Sequence, residues 1–350
     1  MLRLKIGIAL SLIPQLYLIK WLDSNKHYID EFYSLNIYPK IATFNFFFFN
    51  NSFISIGDVF YLILLITIFY RFYDLLKKRK FLIFKQLINL SFYFSIFFFL
   101  FHFTWGLNYY KTPLSKKYKI TSKNIDDEIF QITKKLLKNS NDLHKKLSVN
   151  KYEKVNVIID NDSLFEIIKS NFKTNVQGDI KISKIKKSIF SKTLSYMGFS
   201  GYINPFTHEA QINSLIPQIN KTITIAHEIS HQFGFASEQE ANFIAFINTF
   251  KNKNDYVRYS ANIFAFKTFL NALKKSDYEK SKTIIKNIRP GVLKNIEETK
   301  KFWKSYENFF EPYAKKLYDL FLKINGQKDG IVSYTKIVSL IIAHNKIEPI

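Results

Sequence analysis

Residues 224–243 read TIAHEISHQFGFASEQEANF. His227 and His231 stand four positions apart with Glu228 between them, and Glu238 and Glu240 follow shortly after. On a helix, positions i and i+4 share a face, so both imidazoles project together with the glutamate beside them. That spacing suits a Zn²⁺ ion, and the neighbouring carboxylate is placed to take a proton from a water whose pKa the metal lowers to about 7. The expected roles are therefore His227 and His231 as metal ligands and Glu228 as general base. The stretch around the motif holds no proline, and Ile223, Ile225, Ala226 and Ile229 give it an apolar side to bury.

A catalytic zinc site needs a third protein ligand and one open position. A third histidine at the long metal-peptidase spacing would fall at position 237, which is Ser. Two carboxylates remain. Gly234 is suited to end the motif helix in a left-handed conformation. Ser237 then caps the next helix, and Glu240 falls at the spacing of a capping box, where it bonds back to the cap. Glu240 thereby has a structural role that Glu238 lacks. The reading favours Glu238 as third ligand and keeps Glu240 as the alternative. Asn242, one turn beyond Glu238, is placed to hydrogen-bond a ligand histidine.

The composition fits this choice of donors. Cysteine is absent, so thiolate metal sites and disulfides are excluded, and the chain has only seven histidines. The formal charge of +23 raises the question of nucleic acid. The lysines are scattered without an Arg-rich block or a nucleic-acid motif, and Lys, Asn, Ile and Phe are abundant together, as in AT-rich coding sequences. No nucleic-acid partner is expected.

Hydrophobic residues make up 47% of the chain and aromatics 17%, with 37 Phe, which calls for a search for membrane spans. Three stretches are long and apolar enough to cross a bilayer: about 4–22, 53–73 and 87–107. The first lacks a small-residue cleavage site and reads as a retained span rather than a signal peptide. Asp58, near one end of the second, is expected to reach the interface. His102 in the third reads as a hydrogen-bonded structural residue beside an interfacial belt of Trp105 and Tyr109. Arg3 and Lys5 precede the first span, and Arg71, Lys77, Lys78, Arg79, Lys80 and Lys85 lie between the second and third. The positive-inside rule then puts the N terminus in the cytoplasm and everything after the third span outside the inner membrane, in the periplasm.

Residues 1–107 thus form a membrane segment and 108–350 an extracytoplasmic domain. The fold class expected is α+β: three transmembrane helices followed by a mainly helical, zincin-like domain with a small sheet. Apolar spacing predicts a helix over Ile125–Leu147 and a short one at SLFEIIKSNF. The alternation of KVNVIID predicts a strand over 154–160, and the stretch 197–215 predicts two strands around a turn. Beyond Thr222 the chain reads as helical, broken at Pro290-Gly291 and Asn325-Gly326.

With these features in place, a resemblance emerges. HEISHQFGFASEQEANFIAF, WGLNYYKTPL (105–114), GYINPFTHEAQIN (201–213) and NGQKDGIVSY (325–334) resemble the blocks of an uncharacterised membrane protein family of Bacteroidetes, the domain of unknown function DUF3810. That resemblance implies N-terminal spans followed by a zinc-peptidase-like domain. More distantly, SEQEAN is similar to the Glu-x-x-Ala-Asp block of gluzincin-type membrane zinc peptidases, which implies Glu238 as zinc ligand and Asn242 behind it. Here Asn stands in place of Asp, and the gap from His231 to Glu238 is shorter than in those enzymes.

Further candidates surround the motif. EAQIN (209–213) is a possible edge strand for a peptide substrate, and Glu209 is read as binding a substrate amine or pairing with a lysine. Tyr202 and Tyr334 are candidate oxyanion donors against a plain buried reading. His208 reads as exposed and Asp329-Gly330 as a turn. Together these features predict a membrane-anchored zinc metallopeptidase acting on a protein or peptide substrate at the bilayer. The alternatives are a non-catalytic envelope protein braced by a structural metal, with Glu240 as an added ligand, and a zinc hydrolase of a non-peptide envelope substrate. Nothing in the sequence sets an oligomeric state.

Overall fold

The computed structural model describes residues 2–77, 83–118, 125–173, 180–327 and 334–350. Three helices are long and apolar enough to cross a membrane: α1 (Leu2–Ser24), α3 (Ile56–Lys77) and α4 (Ile83–Thr104), with α2 (Tyr38–Phe49) between the first two. Their outward residues, such as Ile63, Ile66, Phe69 and Phe94, are exposed in the isolated chain, as lipid-facing side chains are. The third span ends at Thr104, earlier than the hydropathy suggests. A tight 3-10 turn follows at Gly106–Tyr110, where a Cβ on Gly106 would meet the Phe101 ring at 2.5 Å.

The linker between the first two spans is folded. A π-helical segment, Ile29–Ile37, runs into α2, and Ile29, Tyr33, Tyr38 and Ala42 pack with Trp105, Tyr109, Tyr110, Ala236 and Leu322. Trp105 and Tyr109 are therefore buried in protein rather than forming an interfacial belt, because this linker covers them. Asp58 likewise avoids the interface. It is fully buried, and its carboxylate accepts from the Ile189 N–H (2.7 Å) and the Tyr202 hydroxyl. His102 has the structural role expected, with Nδ1 on the Phe98 carbonyl at 2.9 Å.

Helix α5 spans Ile125–Leu147, as its apolar spacing predicts, with acidic residues in its first turn and basic ones in its last, the arrangement that suits the helix dipole. Ile129, Ile132, Leu136 and Leu143 enter the largest core with Tyr259, Phe266, Phe269 and Leu273 of α10. Between them in sequence come α6 (Asn161–Lys169), α7 (Ser191–Met197), α8 (Gln218–Gln232) and α9 (Glu238–Phe250), and α10 itself is Asp255–Ser276. The chain ends with α11 (Tyr278–Lys286), α12 (Pro290–Ser305), α13 (Glu311–Ile324) and α14 (Tyr334–Ile347). Both predicted breaks fall between helices: Pro290 opens α12, and Gly326, at φ 80°, follows α13.

Residues 154–160 are not a strand. Val155 has its backbone N–H and carbonyl taken by the side-chain amide of Asn295, at 3.0 and 3.1 Å, so an amide stands where a neighbouring strand would. Asp160 then caps α6 by accepting from the N–H groups of Asp162 and Ser163.

The sheet among the described residues has three short strands in the order β1-β3-β2. Strands β2 (Gly201–Ile203) and β3 (Ala210–Ile212) form the expected hairpin, and β1 (Lys186–Lys187) pairs in parallel with β3. The EAQIN segment is consequently the central strand, paired on both sides, and is not an edge open to a substrate. The outer strand next to α8 is β2.

Candidate metal centre

Helix α8 carries the motif. Its buried residues Ile225, Ala226 and Ile229 pack against Ala210 and Ile212 of the sheet and against Leu164, Phe165 and Ile168 of α6. This packing turns His227 and His231 toward the next helix. The turn that follows is a Schellman motif: the Gly234 N–H donates to the His231 carbonyl (2.7 Å) and the Phe235 N–H to Ser230 (3.2 Å). Gly234 takes φ 80°, and a Cβ there would lie 2.6 Å from Lys111 Nζ and 2.9 Å from Tyr38.

The turn also supports a ligand. It returns the Phe235 carbonyl to accept from His231 Nδ1 at 2.7 Å. His227 Nδ1 donates to Asn242 Oδ1 at 2.9 Å, the partner its spacing predicts. With both Nδ1 atoms bound, each Nε2 is left to face Glu238, at 3.2 Å from His227 and 3.7 Å from His231. His227, His231 and Glu238 bring one donor atom each within 4.8 Å of one another. Held imidazoles with one nitrogen directed inward are the usual preparation of a metal ligand.

Glu240 is engaged elsewhere. Its Oε1 accepts from the Leu114 N–H at 2.7 Å. Ser237 does occupy the cap position of α9, but its side chain makes no capping bond, so the predicted capping box is absent. The competing demand is the chain end beyond the third span, which needs an acceptor at Leu114.

Electrostatics within the cluster favour a cation. Burial opposes a charge on His227, yet the Glu238 hydrogen bond and charge outweigh it and raise its pKa to about 9. His231 is pushed down to about 4, by burial and by His227. Burial works against the Glu238 charge, but its bond to His227 and the charges of both histidines hold it down at about 2. One positive charge is thus drawn to the place where the three donors meet. Glu228 is almost fully buried, and burial lifts it to about 8, within reach of a base working near neutrality. Its Oε2 has no hydrogen-bond partner among the described residues.

Gly201 of β2 makes room for that carboxylate. A Cβ at this position would sit 2.6 Å from Glu228 Oε1 and 2.8 Å from the Gln211 carbonyl oxygen. Tyr318 on α13 joins them, its hydroxyl donating to Glu238 Oε1 at 2.5 Å. Trp105 presents its ring to His231, with centroids 5.9 Å apart. Tyr38 closes the far side, its hydroxyl bonded to His208 Nε2 (2.6 Å) and to the carbonyls of Gln232 (3.0 Å) and His231 (3.3 Å).

The other candidates take different places. Tyr202 is committed to Asp58, and burial together with that carboxylate raises its pKa strongly. The side chain of Tyr334, and Asp329-Gly330, lie outside the described residues. His208 is fully buried rather than exposed, because the linker places Tyr38 over it. Glu209 pairs with Lys186 at 2.5 Å, so the lysine reading holds. Tyr318, Tyr38 and Gly201 carry no local sequence signal of a site. Trp105 lies in the WGLNYY block but reads there as part of an interfacial belt rather than of a site.

Fold and site together define a mostly helical chain with three helices long and apolar enough to cross a membrane and a two-histidine, one-glutamate cluster beside a small sheet. The chain belongs to the family described as a protein of unknown function, DUF3810, whose family model matches residues 33–342. The matched stretch takes in the linker that carries Tyr38 as well as the cluster. No curated protein and no solved structure matches the chain.

Proposed function

We propose that this protein is a membrane-anchored zinc metallopeptidase whose catalytic domain lies outside the cytoplasm. The observation that carries the reading is the convergence of His227, His231 and Glu238 around one point, with Glu228 beside them bearing an unpartnered oxygen. His227, His231 and Glu238 would hold the ion. Two imidazoles and a carboxylate are a donor set that suits zinc. When bound, the metal supplies Lewis acidity toward a carbonyl and a water of lowered pKa.

The chain's own residues do the rest. Glu228 accepts the proton of the attacking water and passes it to the leaving amine, which a carboxylate with a pKa of about 8 can do near neutral pH. Gly201 keeps Glu228 in place by omitting a side chain. The outer strand β2 passes beside Glu228, and its edge, unpaired among the described residues, gives an extended peptide a backbone to pair with. Asn242, Phe235 and Tyr318 orient the ligands.

A purely structural metal would require a closed ligand set. Glu240, the fourth donor that such a set would need, is held at Leu114, and the cluster has three donors among the described residues. This supports an open coordination position and hence catalysis. A non-peptide envelope substrate would use the same site, and the β2 edge favours a peptide.

Metal analysis of the full-length protein in detergent tests the site: about one zinc per chain is expected, and none in His227→Ala. Peptide hydrolysis by wild type against Glu228→Gln tests the reaction. A loss of roughly 10²–10⁴-fold with zinc retained is expected. Hydrolysis indifferent to Glu228→Gln would end the peptidase reading.

A further inference from the structure

Helix α13 divides into three faces. Tyr313, Leu317, Leu320 and Ile324 are spaced as one apolar stripe, and they are 66%, 68%, 52% and 70% exposed. Lys316 and Lys323 flank that stripe. The third face enters the protein, where Leu322 is buried and Tyr318 reaches Glu238. Phe309 and Phe310, also well exposed, extend the apolar surface at the start of the helix.

The position of α13 identifies what covers the stripe. Phe321 meets the Phe101 ring in the last turn of the third span at 5.8 Å. Ile19 and Leu22, in the last turns of the first span, pack in the same cluster as Tyr318 and Leu322. The helix therefore lies where two spans leave the bilayer, and its exposed stripe continues their lipid-facing surface. Trp21, Tyr28 and Phe32 stack at the end of the first span, and such rings mark the headgroup level. Lysines beside an apolar stripe are the charge pattern that suits anionic headgroups.

We propose that α13 is an interfacial helix, seated in the headgroup–acyl boundary of the leaflet from which the spans emerge, with lipid as the occupant of its stripe. One consequence is that a lipid-seated helix holds the Tyr318 hydroxyl on Glu238. The proposal rests on the spans and not on the peptidase reading.

The chain has no cysteine, so single-cysteine labelling reports cleanly. Leu317→Cys, and Leu320→Cys one turn away, would carry an environment-sensitive fluorophore, with Lys315→Cys on the charged face as control. Each protein is reconstituted into vesicles of phosphatidylcholine and phosphatidylglycerol. Quenching by spin-labelled lipid is expected to be at least about twofold stronger at 317 and 320 than at 315, and quenching by aqueous iodide weaker. Iodide quenching at 317 and 320 equal to that at 315 would overturn the proposal. So would protection from both quenchers together with a 317–317 cross-link, which would make the stripe a contact between two copies.

Discussion

Two buried carboxylates of this protein invite comparison. Glu209 accepts from Lys186 Nζ and from the N–H groups of Ile56 and Gly57, at the start of the second span. Lys186 in turn donates to the carbonyls of Phe49 and Ile54. Every hydrogen-bonding atom of that pair is used, and the pair ties a span to the sheet. Glu228 is buried as deeply, yet its Oε2 has no partner among the described residues, and beside it the donors of His227, His231 and Glu238 converge on one another. A satisfied network is a joint, whereas a buried oxygen left without a partner calls for an explanation, a ligand or a water among them. Burial alone does not distinguish the two carboxylates; the count of partners does.

The sharpest way to break this contrast is Glu209→Ala. It strands a buried ammonium, and a loss of about 3–5 kcal/mol is expected in the unfolding of the solubilised protein. Glu228→Gln, by contrast, alters a carboxylate whose Oε2 has no partner among the described residues and should move the metal-free melting point little. Equal destabilisation by the two would erase the distinction.

Next in size is a pH effect at His208, which neighbours both networks. Burial holds its pKa at about 4, below the ordinary 6.5. The unfolded chain therefore takes up this proton first. Stability from this group is complete above about pH 6.5 and falls as pH drops toward 4, by on the order of 3 kcal/mol at most. His208→Asn tolerates the positive φ of 57° and should flatten the fall. Melting curves across this range decide, and an unchanged acid dependence would assign it to other groups.

A smaller effect is expected at Asn242→Ala, which frees His227 Nδ1. Zinc affinity should drop roughly 10–100-fold in competition with a chromophoric chelator. No change would mean that the amide is incidental. The smallest is Ser237→Ala. Its side chain makes no capping bond, so a change within about 0.5 kcal/mol is expected, against about 1 kcal/mol for an engaged cap.

How much of this was legible in the chain follows from range. The motif helix, the Gly234 turn, the position of Ser237 and the Asn242 contact are decided by residues no more than 15 positions apart, and pattern reasoning reaches them. The α5 helix was legible because its apolar spacing is strong. Tyr318 lies 80 residues from its partner Glu238, and Tyr38 lies on the other side of two spans from His231, so no local pattern reports either. The missing strand at 154–160 shows the opposite failure. Its alternation was real, but Asn295 supplied the hydrogen bonds that a strand partner was expected to give. Glu240 misled for the same reason, since Leu114, far off in sequence, outbid the local cap.

The linker residue Tyr38 has a practical meaning. It fastens the C-terminal carbonyls of the motif helix from a position between the first and second crossings. The linker is therefore part of the packing that holds the motif helix and not a mere tether. A chain trimmed to residues 108–350 would keep His227, His231, Glu228 and Glu238 and still lack Tyr38 and Trp105. A nick in that linker would cut the segment that carries Tyr38 while leaving His227, His231 and Glu238 untouched.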